Sequence, residues 1–269
     1  LIKITFNAGY NPARLLNVIS NTRHHPPKTL YFGIWDVPGT GPIIPQTFGL
    51  YRNQEQKMKS RTLSLIAGTS YLTIFLAAVY ANFFVLESLS IEPLNTIQEN
   101  PLMVRIGILA FLVTVVFDVV VAWALYELYK NHHLSGLSTY FRMMHAAIMG
   151  IAIFALPAAL TATSSEEILR QVELFNIIWL IGLFFFGIHL ILLGNIIGKP
   201  RIIALFLIVA GLMYMIDTVA HFLLPDYDTY ASLLLALVAI PSVIGEMSFS
   251  IWLLIKGGKS APEPNNERT

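Results

Sequence analysis

The chain has 269 residues, of which 55% are hydrophobic and only 12% charged, about half the charged fraction usual in soluble domains, and this excludes an ordinary cytosolic protein. Lys plus Arg number 17 and Asp plus Glu 16, so no strong net charge points to nucleic acid as a partner. The chain has no cysteine, which removes disulfides, thiolate metal sites and cysteine nucleophiles together.

Residues 1–57 hold six of the fourteen prolines, no sustained helical period and no apolar run of spanning length, and predict an irregular N-terminal extension. They lack the basic start, compact apolar region and small-residue cleavage site of a signal peptide. Met58-Lys59-Ser60-Arg61 leads directly into the first apolar run. The expected native start is therefore Met58, with the upstream stretch a translated extension.

Six apolar runs follow, over about 63–86, 102–129, 138–162, 172–197, 202–224 and 230–255, each long enough to cross roughly 30 Å of hydrocarbon. They predict an all-α fold, a polytopic six-helix transmembrane bundle over 58–256 with a short tail over 257–269. Trp123, Tyr126 and Tyr129 close the second run as an interfacial aromatic cluster. Ser64 and Gly68, Ala77 and Ala81, and Ala146 and Gly150 are small-residue pairs suited to close helix contacts. Pro157 and Pro241 are each expected to kink a span and free a carbonyl one turn earlier.

Lys57, Lys59, Arg61, Lys130, Arg142, Lys199, Arg201, Lys256, Lys259 and Arg268 all fall on one side of this arrangement, against Arg105 and Arg170 on the other. The positive-inside rule then places both termini in the cytoplasm of the inner (plasma) membrane. The opposite connections carry Glu87, Glu92, Glu99, Glu166, Glu167, Asp226 and Asp228.

Ionisable side chains in hydrocarbon cost at least about 2.5 to 3.5 kcal/mol at a helix centre and need partners. Counted from the basic helix ends, His145, His189, Glu246 and Asp118 share a layer roughly 10 to 18 Å deep. Arg142 and Glu127 fall nearer the basic face. Asp217 and His221 form a second, outer pair roughly 24 to 30 Å in, on one side of the fifth helix. Asp118, Arg142, His145, His189 and Glu246 are the candidate ligand-binding residues.

A metal site on His145, His189 and His221 fails on depth, since zinc needs all its ligands within about 2 to 2.2 Å of one point. The mixed set of His145, His189, Asp118 and Glu246 lacks a ligand spacing such as His-Glu-x-x-His, so no metal is predicted. Haem held between His145 and His189 is the cofactor alternative. Glu246, five residues after Pro241, suits a polar cavity that admits a ligand, while a structural salt-bridge network among the same residues is equally open. No Gly-x-Ser-x-Gly turn, phosphate-cradling loop or dinucleotide fingerprint is present, and no catalytic residue is assigned. His132 and His133 read as solvated interfacial residues, and Asp226-Tyr227-Asp228 as a loop.

Gly187-Ile-His189-Leu-Ile-Leu-Leu-Gly194, Lys199-Pro200-Arg201 and Ala210-Gly211-Leu-Met-Tyr214-Met-Ile-Asp217 resemble the signature stretch of a prokaryotic membrane family, domain of unknown function 4386. Arg61-Thr-Leu-Ser-Leu-Ile-Ala-Gly68, Ala124-Leu-Tyr-Glu-Leu-Tyr129 and Phe141-Arg142 extend the resemblance over about 58–256. One departure is His145, where the family pattern expects an acidic residue; the residues before Met58 have no counterpart. The resemblance implies a six-helix integral membrane protein and supplies no catalytic residues. The resulting expectation is a membrane protein in contact with membrane lipid that binds a small or lipophilic ligand in its polar layer, with translocation or sensing as further uses. The alternatives are a haem-binding redox protein and a non-catalytic scaffold.

Overall fold

The computed structural model describes residues 44–258, with side chains from Lys59 onward. The described residues are helical with short connections and contain no strand. Six helices are long and apolar enough to cross a membrane: Lys59–Ile91, Pro101–Tyr129, Ser135–Ala159, Ser165–Ile197, Arg201–Leu223 and Tyr227–Ile255. The protein is a multi-pass membrane protein. Connections of a few residues between most consecutive spans make neighbours antiparallel.

The first helix, α1, runs over Ile44–Val79. Residues 44–57, expected to be irregular, are helical and enter the first span without a break; the rest of the expected extension lies outside the described residues. Pro45 stands at the second position of α1, where its missing N–H costs no helix bond. The stretch Gln54-Glu-Gln-Lys-Met-Lys59 is rich in unbranched side chains of high helix propensity. The span then widens into a π-helical turn over Tyr80–Leu86, in which the Glu87 N–H donates to the Asn82 carbonyl. The expected first loop is built of two short helices, α2 (Glu87–Ile91) and α3 (Pro93–Glu99).

The second span is α4 (Pro101–Tyr129), with Trp123 and Tyr126 exposed on its membrane-facing side. The third span divides into α5 (Ser135–Ala152) and α6 (Ala155–Ala159). Pro157 accounts for the break: it has no N–H for the Ile153 carbonyl, which accepts from Leu156 instead at 3.1 Å. The fourth span, α7 (Ser165–Ile197), begins before its expected limit because Ser164 caps it, accepting from the Glu167 N–H at 3.2 Å. Glu166, Glu167 and Arg170 therefore belong to the helix rather than to a connection. Gly198, at φ 60°, makes the turn into α8 (Arg201–Leu223). The sixth span, α9 (Tyr227–Ile255), runs on through Pro241.

Glycine sets how closely α7 and α8 approach. A Cβ on Gly187 would lie 2.5 Å from the Gly211 carbonyl oxygen, and one on Gly194 2.7 Å from that of Ala204. Among the small pairs named from sequence, Ser64 and Gly68 lie in the seam with α9, where a Cβ on Gly68 would meet Leu254 at 2.7 Å. Gly150 differs, since a Cβ there would meet nothing within 4 Å.

Arg61 joins the two ends of the bundle. Its guanidinium donates to the Leu253 and Gly257 carbonyls at 3.0 and 2.9 Å and also to that of Leu254, closing the C-terminus of α9 with a cation where the helix dipole favours one. The start of the first span and the end of the sixth thus lie on the same side, called here the basic end.

Candidate functional site

Between two apolar cores lies a layer of buried polar side chains, organised around Arg142. The sequence places Arg142 nearer the basic face than the other candidate ligand-binding residues and counts it with the basic charges of that side. It is instead 1% exposed inside the bundle, because it sits two turns into α5 on the face that also carries Ser138 and His145. Its Nη2 donates to Asp118 Oδ1 at 2.5 Å and its Nε to the Asp118 carbonyl at 3.3 Å. Its Nη1 donates to the Tyr71 hydroxyl at 2.8 Å and to His189 Nε2 at 3.2 Å. Four of the five guanidinium N–H groups are thereby used.

The bonding also fixes one tautomer. A guanidinium only donates, so His189 Nε2 accepts, and the imidazole proton stands on Nδ1. That N–H has two oxygens before it, the Ser138 carbonyl at 3.0 Å and the Ser138 hydroxyl at 2.9 Å. His145 faces acceptors from both nitrogens, with the Gly182 carbonyl 2.9 Å from Nδ1 and Asp118 Oδ2 3.5 Å from Nε2. The Arg142 guanidinium also lies 4.8 Å from the centre of the Tyr71 ring and 5.3 Å from that of Phe186, so aromatic faces complete its desolvated surroundings.

Beside this network is a cavity of about 250 Å³ to which all six spans contribute. Its lining combines Asp118, Arg142, His145 and Thr114 of the second and third spans, Trp179, Leu183, Phe186 and Tyr214 of the fourth and fifth, and Tyr71, Phe75, Asn82, Ser242, Val243 and Glu246 of the first and sixth. Val243 is 47% exposed, so one lining residue also belongs to the membrane-facing surface of the sixth span. Asn82 stands in the π-helical turn and donates to the Ala78 carbonyl at 2.8 Å. Of the five expected ligand-binding residues, four form one hydrogen-bonded network and line or abut the cavity. The fifth, Glu246, faces the cavity without a hydrogen bond or ion pair among the described residues.

Tyr71 and Ser138 were not singled out from sequence. A tyrosine deep in an apolar span is the signal that marks Tyr71, since its hydroxyl needs a partner when buried; a lone serine gives none.

Both members of the outer pair meet Tyr227. Asp217 Oδ1 accepts from the Tyr227 hydroxyl at 2.8 Å, and His221 meets the Tyr227 ring edge-on at 4.6 Å. His221 and Tyr227 border a separate groove of about 730 Å³ with Glu173 and Asn176. His132 and His133 stack on each other at 4.7 Å, away from the cavity. No group of three His, Asp or Glu side chains suited to a metal ion occurs among the described residues. The haem alternative fits poorly, because each imidazole needs one free nitrogen aimed at a shared iron, and all four ring nitrogens of His145 and His189 face protein partners.

The profile of the family described as Domain of unknown function (DUF4386) matches residues 66–257, well over half of the chain. The chain belongs to this family. It is also similar to an uncharacterised protein of Archaeoglobus fulgidus, 30% identical over 159 residues that cover 57% of this chain and 85% of that one. No solved structure matches the chain. The stretch that carries the family resemblance is the α7–α8 crossing: Gly187, Gly194 and Gly211 are its contact points, and His189 on the same helix reaches the Arg142 network. The carboxylate partner of Arg142, expected by the family pattern one turn along α5, is supplied by Asp118 of the adjacent span.

Proposed function

We propose that this family member binds a small, largely apolar ligand in the cavity between its six spans, in the plasma membrane of a prokaryotic cell, with the basic end and both termini in the cytoplasm. One observation carries the reading. In a layer where Arg142, Asp118, His145 and His189 are all bonded, Glu246 lines the cavity and makes no hydrogen bond or ion pair among the described residues, although the field of Arg142 reaches it. A bundle that needed its polar layer only as glue has no use for an unpaired carboxylate, which is costly at membrane depth. The volume, about 250 Å³, lies just under the roughly 300 to 1,000 Å³ typical of drug-sized pockets, so the occupant is small. Its route is lateral, from the bilayer past Val243, a path that serves sensing directly and translocation if a second opening forms.

The test is native mass spectrometry of the full chain released gently from detergent, beside Ser242→Phe, which fills the cavity. A retained small mass, or a thermal shift with small apolar compounds, that is lost in Ser242→Phe supports the site. A clean mass together with identical thermal responses in both proteins overturns it.

A further inference from the structure

The same cavity carries an inference about the chemistry of its occupant, and it rests on the ligand-site reading above. The cation of the layer is already consumed. Arg142 gives four of its five N–H groups to Asp118, Tyr71 and His189, and it is fully buried. An anion entering the cavity would find at most one uncommitted N–H of the guanidinium, too few for the paired bonds a carboxylate takes from arginine. His189 is held neutral by its own bonds, and the Asp118 charge is matched by Arg142 at 2.5 Å.

Glu246 is the reverse case. It projects into the cavity from α9, one turn after Ser242, and no lysine, arginine or histidine among the described residues is paired with it. A carboxylate with free lone pairs accepts hydrogen bonds and positive charge. The surfaces around it are apolar or aromatic, with Phe75, Trp179 and Tyr214 lining the cavity, and ring faces attract cations when water is scarce. Asn82 and Ser242 add small polar groups to the lining. The exposed path past Val243 suits a molecule that arrives through the hydrocarbon.

We infer that the cavity takes a small lipophilic amine, its ammonium group on the Glu246 carboxylate and its apolar body against the aromatic wall. Three probes with the same phenylethyl body separate the possibilities: 2-phenylethylamine carries the cation, propylbenzene replaces it with a methyl group, and the slightly larger 3-phenylpropanoate carries an anion. Binding to the full chain in detergent is read from fluorescence of the tryptophan in the cavity wall and from the thermal midpoint. The amine should bind at least about tenfold more tightly than propylbenzene, with the carboxylate weakest. Glu246→Gln should remove that advantage, bringing the amine down to the affinity of propylbenzene in the same variant.

If Glu246→Gln does not fold, Glu246→Asp serves, since moving the charge by one methylene should weaken the amine and not propylbenzene. Propylbenzene binding with no preference for the amine, or an amine preference that persists in Glu246→Gln, overturns the ammonium assignment and leaves the cavity standing. Failure of all three probes, propylbenzene included, overturns the cavity itself.

Discussion

The two apolar cores on either side of the polar layer are built from different helices. Toward the basic end, Leu63 and Tyr71 of α1, Val121 and Leu125 of α4, Leu190 and Leu193 of α7, Leu207 of α8, and Phe249 and Leu253 of α9 pack into one cluster. Toward the opposite end, Val85, Phe111, Leu156 and Phe175 centre a cluster drawn from the first four spans, without a residue of α8 or α9. The sixth span is accordingly held at one end. It buries nothing before Val238, whereas its last turns bury Phe249, Ser250 and Leu253. The cavity lies where this change occurs, with its mouth in the unpacked half of the seam. Packing that stabilises the bundle and the opening proposed above are thus assigned to different stretches of the same pair of helices.

The largest expected effect comes from the floor of the cavity. Arg142→Met leaves the Asp118 carboxylate buried without its cation, and removing one partner of a buried pair costs about 3 to 5 kcal/mol. The thermal midpoint in detergent should fall steeply, or folded protein should be lost. Adding Asp118→Leu should recover most of that loss, because two apolar side chains replace a pair instead of orphaning one charge. If the single substitution leaves the midpoint unchanged, the network does not hold the two cores together.

Next in size is the clasp at the basic end. Arg61→Ala removes the cation that closes α9, worth about 1 to 2 kcal/mol at a partly buried helix terminus. It should lower the midpoint moderately. Because the chain has no cysteine, a Ser250→Cys reporter gives a clean second reading: its labelling by a thiol reagent should be slow with Arg61 present and faster with Arg61→Ala. Equal rates would mean that the seam is closed without the clasp.

How far the sequence foretells this division differs along the chain. The six spans are legible because length and hydropathy alone define a membrane helix, and each observed helix overlaps its expected range. The inner polar layer is legible for the same reason, since a charge in hydrocarbon announces itself and its depth follows from the rise per residue. Arg142 and His145, three apart on α5, do reach the neighbouring carboxylate of Asp118. What escapes the sequence is which faces meet. Helices apolar all round carry no period to orient them, so neither the four bonds of Arg142 nor the lack of a hydrogen bond to Glu246 can be read from spacing. Of the two prolines expected to bend a span, Pro157 goes with a break between α5 and α6, whereas Pro241 stands within the continuous helix α9. The helix over residues 44–57 was missed because six prolines outweighed the helix-forming run that follows Pro45.

Two smaller substitutions test the seam itself, one in each half. Ser250 donates from its buried hydroxyl to the Gly68 carbonyl at 2.9 Å, and interhelical bonds of this kind in membranes average about 0.6 kcal/mol. Ser250→Ala should therefore lower the midpoint slightly and leave probe binding unchanged, since the residue lies outside the cavity lining. Val243 presents the opposite balance. It is half exposed and makes no hydrogen bond that the bundle needs, so Val243→Trp should leave the midpoint within error, as surface substitutions usually do. The larger ring lies across the mouth and should slow both association and release of propylbenzene while changing its equilibrium affinity little, because a gate alters rates in both directions. A stability loss at Val243 as large as that at Ser250, with unchanged rates, would show that the seam is equally packed along its length and that the ligand enters elsewhere.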